Sequence, residues 1–546
     1  MKEQTFRNFG TMLEVSRNMI LTVDAIKKWI DLSAEMGHNL VLLYMEDVYE
    51  IEGHPYFGYG RGRYSKAELK EMDAYANEKG VTLMPCIQTL GHMEMIFRWP
   101  QYAKIQDGGN TLLAGDEETY ALIDAMFQTM AECFTTKTIH IGMDEAEMLG
   151  RGKYFDLHGH RDHMEIMLEH LNRVSEIGEK YGYTMLIWSD TLYTLATGDR
   201  NYHSTTATIQ KNVKDKLPKN MELVYWDYYT DQKERYTYIT QNHQQIGENI
   251  WLAGGLWTFI GFAPSNRYGI DATKAALDSC RETGVKDFFL TMWAGDGIEC
   301  HECSRFSILP SMFYVSEWAK GNTNEADIKK KFEKRFSIAF DDFMLLDLLD
   351  LEAPGIKSDY RDRNCTCKYV LYNDLFLGLM DSTIPETAGE DFKKMAEKLL
   401  PLCDHPEFGY LFHTLYRLCM VDAHKANLGQ KIRKAYQSGD RDALQSYVGK
   451  VRALIPMIED LYKALRYQWL KENKPFGFET QDARFGGLRL RTEHCADVLE
   501  EYLAGKIEKI PELEEMPLDI EGKGAIEEKK YLYYSNYKKI VTTSAM

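Results

Sequence analysis

Two adjacent carboxylic residues, Asp144 and Glu145, close an apolar run that begins KTIHIGM, with His140 four positions before the first of them. Neighbouring carboxyls in apolar surroundings cannot both ionise at the same cost. Such a pair separates into an acid with raised proton affinity and a permanent anion. Polar or aromatic residues also close seven other apolar runs: Glu14 and Arg17, Glu46 and Asp47, Gln88 and His92, Trp188 and Asp190, Trp226 with Tyr228 and Tyr229, Trp257, then Trp293 with Asp296 and Glu299. Aromatic faces stack on the apolar face of a pyranose, while carboxylates and an arginine bind its hydroxyls. One such residue alone is ordinarily packing or a solvated surface; eight run ends with the same character point to a carbohydrate site.

The residues need a scaffold that brings eight run ends together. Up to about residue 320 the chain alternates short apolar runs with longer stretches of helical period, such as 23–37, 65–80 and 161–182, each ending at a glycine. The runs are 11–16, 39–46, 81–88, 137–145, 183–190, 222–229, 250–257 and 287–296. Continuous apolar strands separated by helices form a parallel sheet covered on its outer face, and eight units within this length predict a closed (β/α)8 TIM barrel. In such a barrel the chemistry sits at the C-terminal strand ends, where these residues fall. Beyond residue 320 the strands stop and amphipathic stretches take over, including 326–346 and 441–473. The expected organisation is an α/β catalytic barrel, 1–320, followed by a mainly α-helical C-terminal domain, 321–546.

Composition narrows the function classes. The 546 residues are 44% hydrophobic and 27% charged, the balance of a folded protein, and 83 acidic against 65 basic residues give a net charge of −18. That charge argues against nucleic acid as a partner. No run approaches the length of a membrane span, and the N-terminal MKEQTFRNFGTMLEV lacks the pattern of a secretion signal. Ten scattered cysteines read as buried thiols, and the expectation is a cytoplasmic protein without membrane attachment. Cys300 with Cys303, and Cys365 with Cys367, supply too few ligands at the wrong spacing for structural zinc, so no metal and no other cofactor is expected.

HIGMDE (140–145) resembles the signature of glycoside hydrolase family 20, a His, an aliphatic residue, Gly, a variable residue and Asp-Glu, with Met143 where the family usually has a second Gly. The resemblance runs over about residues 5–320. It makes Asp144 and Glu145 the catalytic pair, with His140 behind them. Arg17, in LEVSRNMI, corresponds to the arginine that binds the sugar's 3- and 4-hydroxyls, and GHM (91–93) places His92 in the family's Gly-His. Trp188, Trp226 and Trp293 correspond to the tryptophans around the acetamido group and the ring. Glu46, Trp257, Asp296 and Glu299 join the expected substrate-binding set, and Tyr228, sharing the inward parity of Trp226, is expected to hold the acetamido oxygen. The segments 44–64, 369–381 and 475–491 resemble the compact intracellular bacterial subgroup, whose members often pair as homodimers.

What the resemblance implies is a retaining exo-β-N-acetylhexosaminidase. It would release terminal β-linked GlcNAc or GalNAc from a small glycan or glycoconjugate, with the substrate's acetamido oxygen attacking C1. Most retaining glycosidases hold two carboxyls about 5 to 5.5 Å apart, one of them the nucleophile. Consecutive residues on a strand point to opposite faces, which suits a division of labour in which neither Asp144 nor Glu145 attacks carbon. Two alternatives stay open: a β-glycosidase with a distant protein nucleophile such as Glu299, and a sugar-binding barrel without catalysis.

Overall fold

The computed structural model describes residues 6–295, 302–351, 365–520 and 535–544. The chain divides into two compact units: Met1–Leu256 with Gly269–Trp293 and Met312–Thr323, and Trp257–Tyr268 with Ala294–Ser311 and Asn324–Met546.

The first unit is built on eight parallel strands: β1 (Asn8–Glu14), β2 (Leu40–Tyr44), β3 (Thr82–Cys86), β4 (Thr138–His140), β5 (Thr184–Trp188), β6 (Met221–Trp226), β7 (Ile250–Gly255) and β8 (Asp287–Met292). They close in the order β1-β8-β7-β6-β5-β4-β3-β2, with β1 paired to both β2 and β8. Helices cover the outer face, as the alternation of runs predicts. Helix α1 (Val23–Glu35) starts where the Thr22 side chain accepts the Ala25 N–H. Helix α2 (Lys66–Glu78) starts at a capping box in which Ser65 and Glu68 satisfy each other's backbone N–H groups. Strand β2, LVLLY, is buried at every position, as a strand covered on both faces must be.

The fourth strand differs from its expected extent. The run 137–145 reads as one strand reaching the carboxylate pair, yet β4 stops at His140 and joins β3 only through Cys86 and His140. Beyond it the backbone turns left-handed at Gly142 (φ 71°), Met143 (φ 70°) and Glu145 (φ 47°). Asp144 and Glu145 therefore sit in a turn, where strand alternation no longer governs the directions of their side chains.

The second unit is helical. Its longest elements are Arg441–Glu472 and Glu479–Leu503, which pack together, as do Ala388–Leu399 and Gly409–Lys425. The stretch 326–346 does not form one helix: it ends at Phe336, where Ser337 takes a left-handed cap (φ 57°), and a short turn follows at Phe340–Phe343. No helix among the described residues is long and apolar enough to cross a membrane.

Candidate active site

A circuit of contacts runs around the C-terminal end of the barrel. Arg17, just past β1, lies 3.3 Å from Glu14 Oε1 and 3.9 Å from Glu46 Oε1, with its guanidinium 5.3 Å from the centre of the Trp293 ring. Tyr44 Oη donates to Glu46 Oε1 (3.1 Å). Gln88, just past β3, donates to Tyr44 Oη (2.8 Å) and to Asp144 Oδ1 (2.7 Å), while its own oxygen accepts the Met143 N–H (3.1 Å). Gly142 makes that last contact possible, since a Cβ there would lie 2.0 Å from Gln88 Oε1. His92 Nε2 stands 3.2 Å from Asp144 Oδ2 and 3.5 Å from Glu145 Oε2.

The circuit continues through the aromatic residues. Asp190, just past β5, accepts the Glu145 backbone N–H at Oδ2 (2.9 Å) and the Trp226 indole N–H at Oδ1 (3.2 Å). Trp226 stacks on Tyr228 with centroids 5.5 Å apart, and the Trp293 indole N–H donates to Tyr228 Oη (3.0 Å). Gly255 at the end of β7 admits Tyr228, because a Cβ there would lie 2.7 Å from the tyrosine's own Cβ. Trp188, 1% exposed, fills the barrel interior with its ring 6.2 Å from Trp293 and 4.3 Å from His140.

The two carboxyls of the pair converge on one imidazole, a correction to the opposite directions that strand alternation predicts; the left-handed turn is the physical reason. They are nevertheless unlike. Asp144 is 8% exposed; burial pushes its carboxyl up, but His92 and the Gln88 hydrogen bond outweigh burial and hold it below the ordinary aspartate value. The Glu145 side chain is 57% exposed, and desolvation at the barrel mouth together with the Asp144 charge raises its pKa. Burial opposes the His92 charge, yet Asp144 lifts the imidazole to about 10, so His92 is a cation at neutral pH. His140 is the opposite case. Its Nδ1 accepts the Gly142 N–H (3.1 Å) and burial lowers it to about 3, so it stays neutral behind the turn.

Burial raises Glu46 to about 8 against the pull of Arg17. A carboxyl with a raised folded-state pKa holds its proton more tightly in the native than in the unfolded chain. Its contribution to stability is full below the unfolded value of 4.5 and is lost as pH rises through about 8. The expected result is that Glu46→Gln removes up to about 1.4 kcal/mol per pH unit from the downward slope of stability between those limits. Chemical denaturation of both proteins from pH 5 to 8 checks it; parallel curves would refute it.

Five of the six described non-glycine residues with positive φ belong to this region: Asn18, Glu46, His92, Met143 and Glu145. Met143 occupies, fully buried and at φ 70°, the position where the motif usually has a glycine. Such backbone persists only where surrounding contacts over-determine it, and it clusters at functional sites.

Trp257, two residues past the end of β7, packs on Phe259 and Tyr268 at 4.6 and 5.1 Å. Asp296 and Glu299 lie outside the described residues. Glu302, another acidic residue of that stretch, is buried in the second unit against Arg484 (3.1 Å) and Lys368 (3.6 Å). Gln88, Tyr44 and Asp190 hold the site together without having been assigned a role from sequence. The signal for Gln88 and Asp190 was their place just past a strand.

A family model described as the glycosyl hydrolase family 20 catalytic domain matches residues 6–249, and one described as the glycoside hydrolase 20C C-terminal domain matches 341–532. The chain is similar to hexosaminidase D of Bos taurus, 27% identical over 205 residues that cover 36% of this chain and 56% of that protein. Hexosaminidase D of Homo sapiens is 26% identical over 205 residues, 36% of this chain and 40% of that one, so the match spans about half the length of these relatives. Among solved structures, the β-N-acetylhexosaminidase from Bacteroides fragilis NCTC 9343 covers 62% of this chain and 71% of its own, with 19% identity and a TM-score of 0.46. One model matches most of the barrel and the other most of the helical half, and the chain belongs to glycoside hydrolase family 20.

Proposed function

We propose that the protein is a retaining exo-β-N-acetylhexosaminidase acting by substrate assistance, with residues 1–320 as the catalytic barrel and 321–546 as a helical domain. The observation that carries this reading is the adjacent pair with opposite proton affinities, Asp144 held as an anion and Glu145 raised and open to solvent. Relatives whose names are hexosaminidases, and family membership, support the substrate class.

In this reading Glu145 protonates the glycosidic oxygen and later takes a proton from the attacking water. Asp144 accepts the acetamido N–H, turns the carbonyl oxygen toward C1 and stabilises the positive oxazolinium that forms. Tyr228, whose oxygen already accepts from Trp293, donates to the acetamido oxygen, and Trp226 and Trp293 enclose the sugar. Arg17 and Glu46 bind ring hydroxyls. The side chains and the substrate itself carry every step. The substrate is a small glycan or glycoconjugate with a terminal β-linked HexNAc. We place the reaction in the cytoplasm, a reading supported by nine described cysteines that are all free thiols.

Initial rates on nitrophenyl β-GlcNAc, β-GalNAc and β-glucoside test the proposal. Turnover confined to the acetamido sugars supports it, and comparable β-glucoside turnover overturns it. Tyr228→Phe is expected to lower kcat on the acetamido sugars; unchanged turnover removes that assignment.

A further inference from the structure

Asp190 is 6% exposed and opens the helix Asp190–Thr197 directly after β5. Its Oδ2 takes a long hydrogen bond from the Thr191 hydroxyl of that helix (3.5 Å), and its two shorter side-chain contacts reach outside it. One oxygen accepts the backbone N–H of Glu145 and the other the indole N–H of Trp226, so a single carboxylate joins the turn after β4 to the aromatic wall after β6. The N–H it takes from Glu145 belongs to a residue at φ 47°, beyond the last strand pairing of β4. The direction of the Glu145 side chain follows from that φ. A contact that fixes the Glu145 peptide therefore fixes the direction in which its Cα–Cβ bond leaves the backbone, and with it the space its carboxyl can reach.

We propose that Asp190 is a positioning residue whose ionised carboxylate, by accepting both N–H groups at once, sets the aim of Glu145 and the tilt of Trp226 as one unit. The inference rests on the reading of Glu145 as the general acid and goes beyond it by naming what holds the acid in place. Only a carboxylate meets the geometry. An asparagine carries one acceptor oxygen and an NH₂ group, so one of the two N–H donors would face another donor. The charged groups around Asp190 are Asp144 and Glu145 from the turn after β4, with the Tyr202 phenol also in its field. Burial and the two carboxylates press Asp190 up to about 7, against the two hydrogen bonds that favour its charge. Protonation would remove one acceptor, so the double grip is present above that pH and weakens below it.

The test compares Asp190→Asn with wild type and Glu145→Gln on two substrates, nitrophenyl β-GlcNAc and a β-linked disaccharide of GlcNAc, across pH. A misaimed acid costs most where the leaving group needs a proton. Asp190→Asn is expected to lose about tenfold to hundredfold in kcat/KM on the disaccharide and much less on the nitrophenyl glycoside, with the acid limb of its pH profile moved to lower pH. Equal losses on both substrates, activity within twofold of wild type, or an unmoved acid limb overturns the proposal. If Glu145→Gln is sensitive to the leaving group while Asp190→Asn is not, the positioning role falls alone; if Glu145→Gln is itself insensitive, the acid assignment falls and this proposal with it. Should Asp190→Asn not fold by circular dichroism, Trp226→Phe removes one donor and leaves the carboxylate. Its acid limb is expected to move to higher pH, and an unmoved limb overturns the proposal.

Discussion

Glu145→Gln is expected to lower kcat/KM on β-linked disaccharides by about 10²- to 10⁴-fold, the usual contribution of a positioned proton donor. The same variant should retain most of its first-step rate on nitrophenyl β-GlcNAc, because a nitrophenolate departs without protonation. The raised pKa of Glu145 and its 57% exposed side chain give it a proton to donate and access to the water of the second step. Measuring kcat/KM against leaving-group pKa for both proteins gives a steeper dependence in the variant if the assignment holds. Equal slopes would remove Glu145 as the acid. The fall of wild-type activity at high pH should also disappear in the variant, since that limb reports the loss of this proton.

Asp144→Asn should be costly on every 2-acetamido substrate regardless of leaving group, with kcat reduced by about 10²- to 10³-fold, the effect of deleting one preorganised stabiliser of transition-state charge. The residue is an anion held by Gln88 and His92, so charge is lost without much change of shape. The amide would also leave the His92 imidazolium with only Glu145 nearby and the field of Glu46, and the histidine's pKa, raised mainly by Asp144, should fall from about 10. Kinetics on the nitrophenyl sugars and NMR titration of His92 read the two effects separately. A small loss of activity, or an unmoved histidine, would break the link drawn between them.

The barrel was legible because its strands are continuous apolar runs, such as LVLLY at β2, and helices such as α1 and α2 run out at a glycine. Asp144, Glu145, Arg17 and His92 were legible because each lies just past such a run, and their types suit sugar chemistry. The direction of the carboxyl pair was not. Side-chain alternation holds only while φ stays extended, and nothing in GMDE announces that Met143 and Glu145 turn left-handed. Asp190 was visible as a strand-end residue, but its task is to accept two N–H groups from elements far apart in sequence, a relation that only the closed barrel creates. The break at Ser337 escaped notice because a helical period says nothing about a single left-handed cap within it.

The left-handed backbone at Asn18, Glu46, His92, Met143 and Glu145 bears on how this protein can change over generations. At such positions most side chains add strain, whereas glycine and asparagine relieve it. Chance variants that stabilise the fold should therefore accumulate there as glycine or asparagine, and at Glu46, His92 and Glu145 each would remove a side chain from the site. Met143 carries no charge and gives its N–H to Gln88, but its side chain is fully buried, so relief of backbone strain there is set against the cavity a smaller residue would leave.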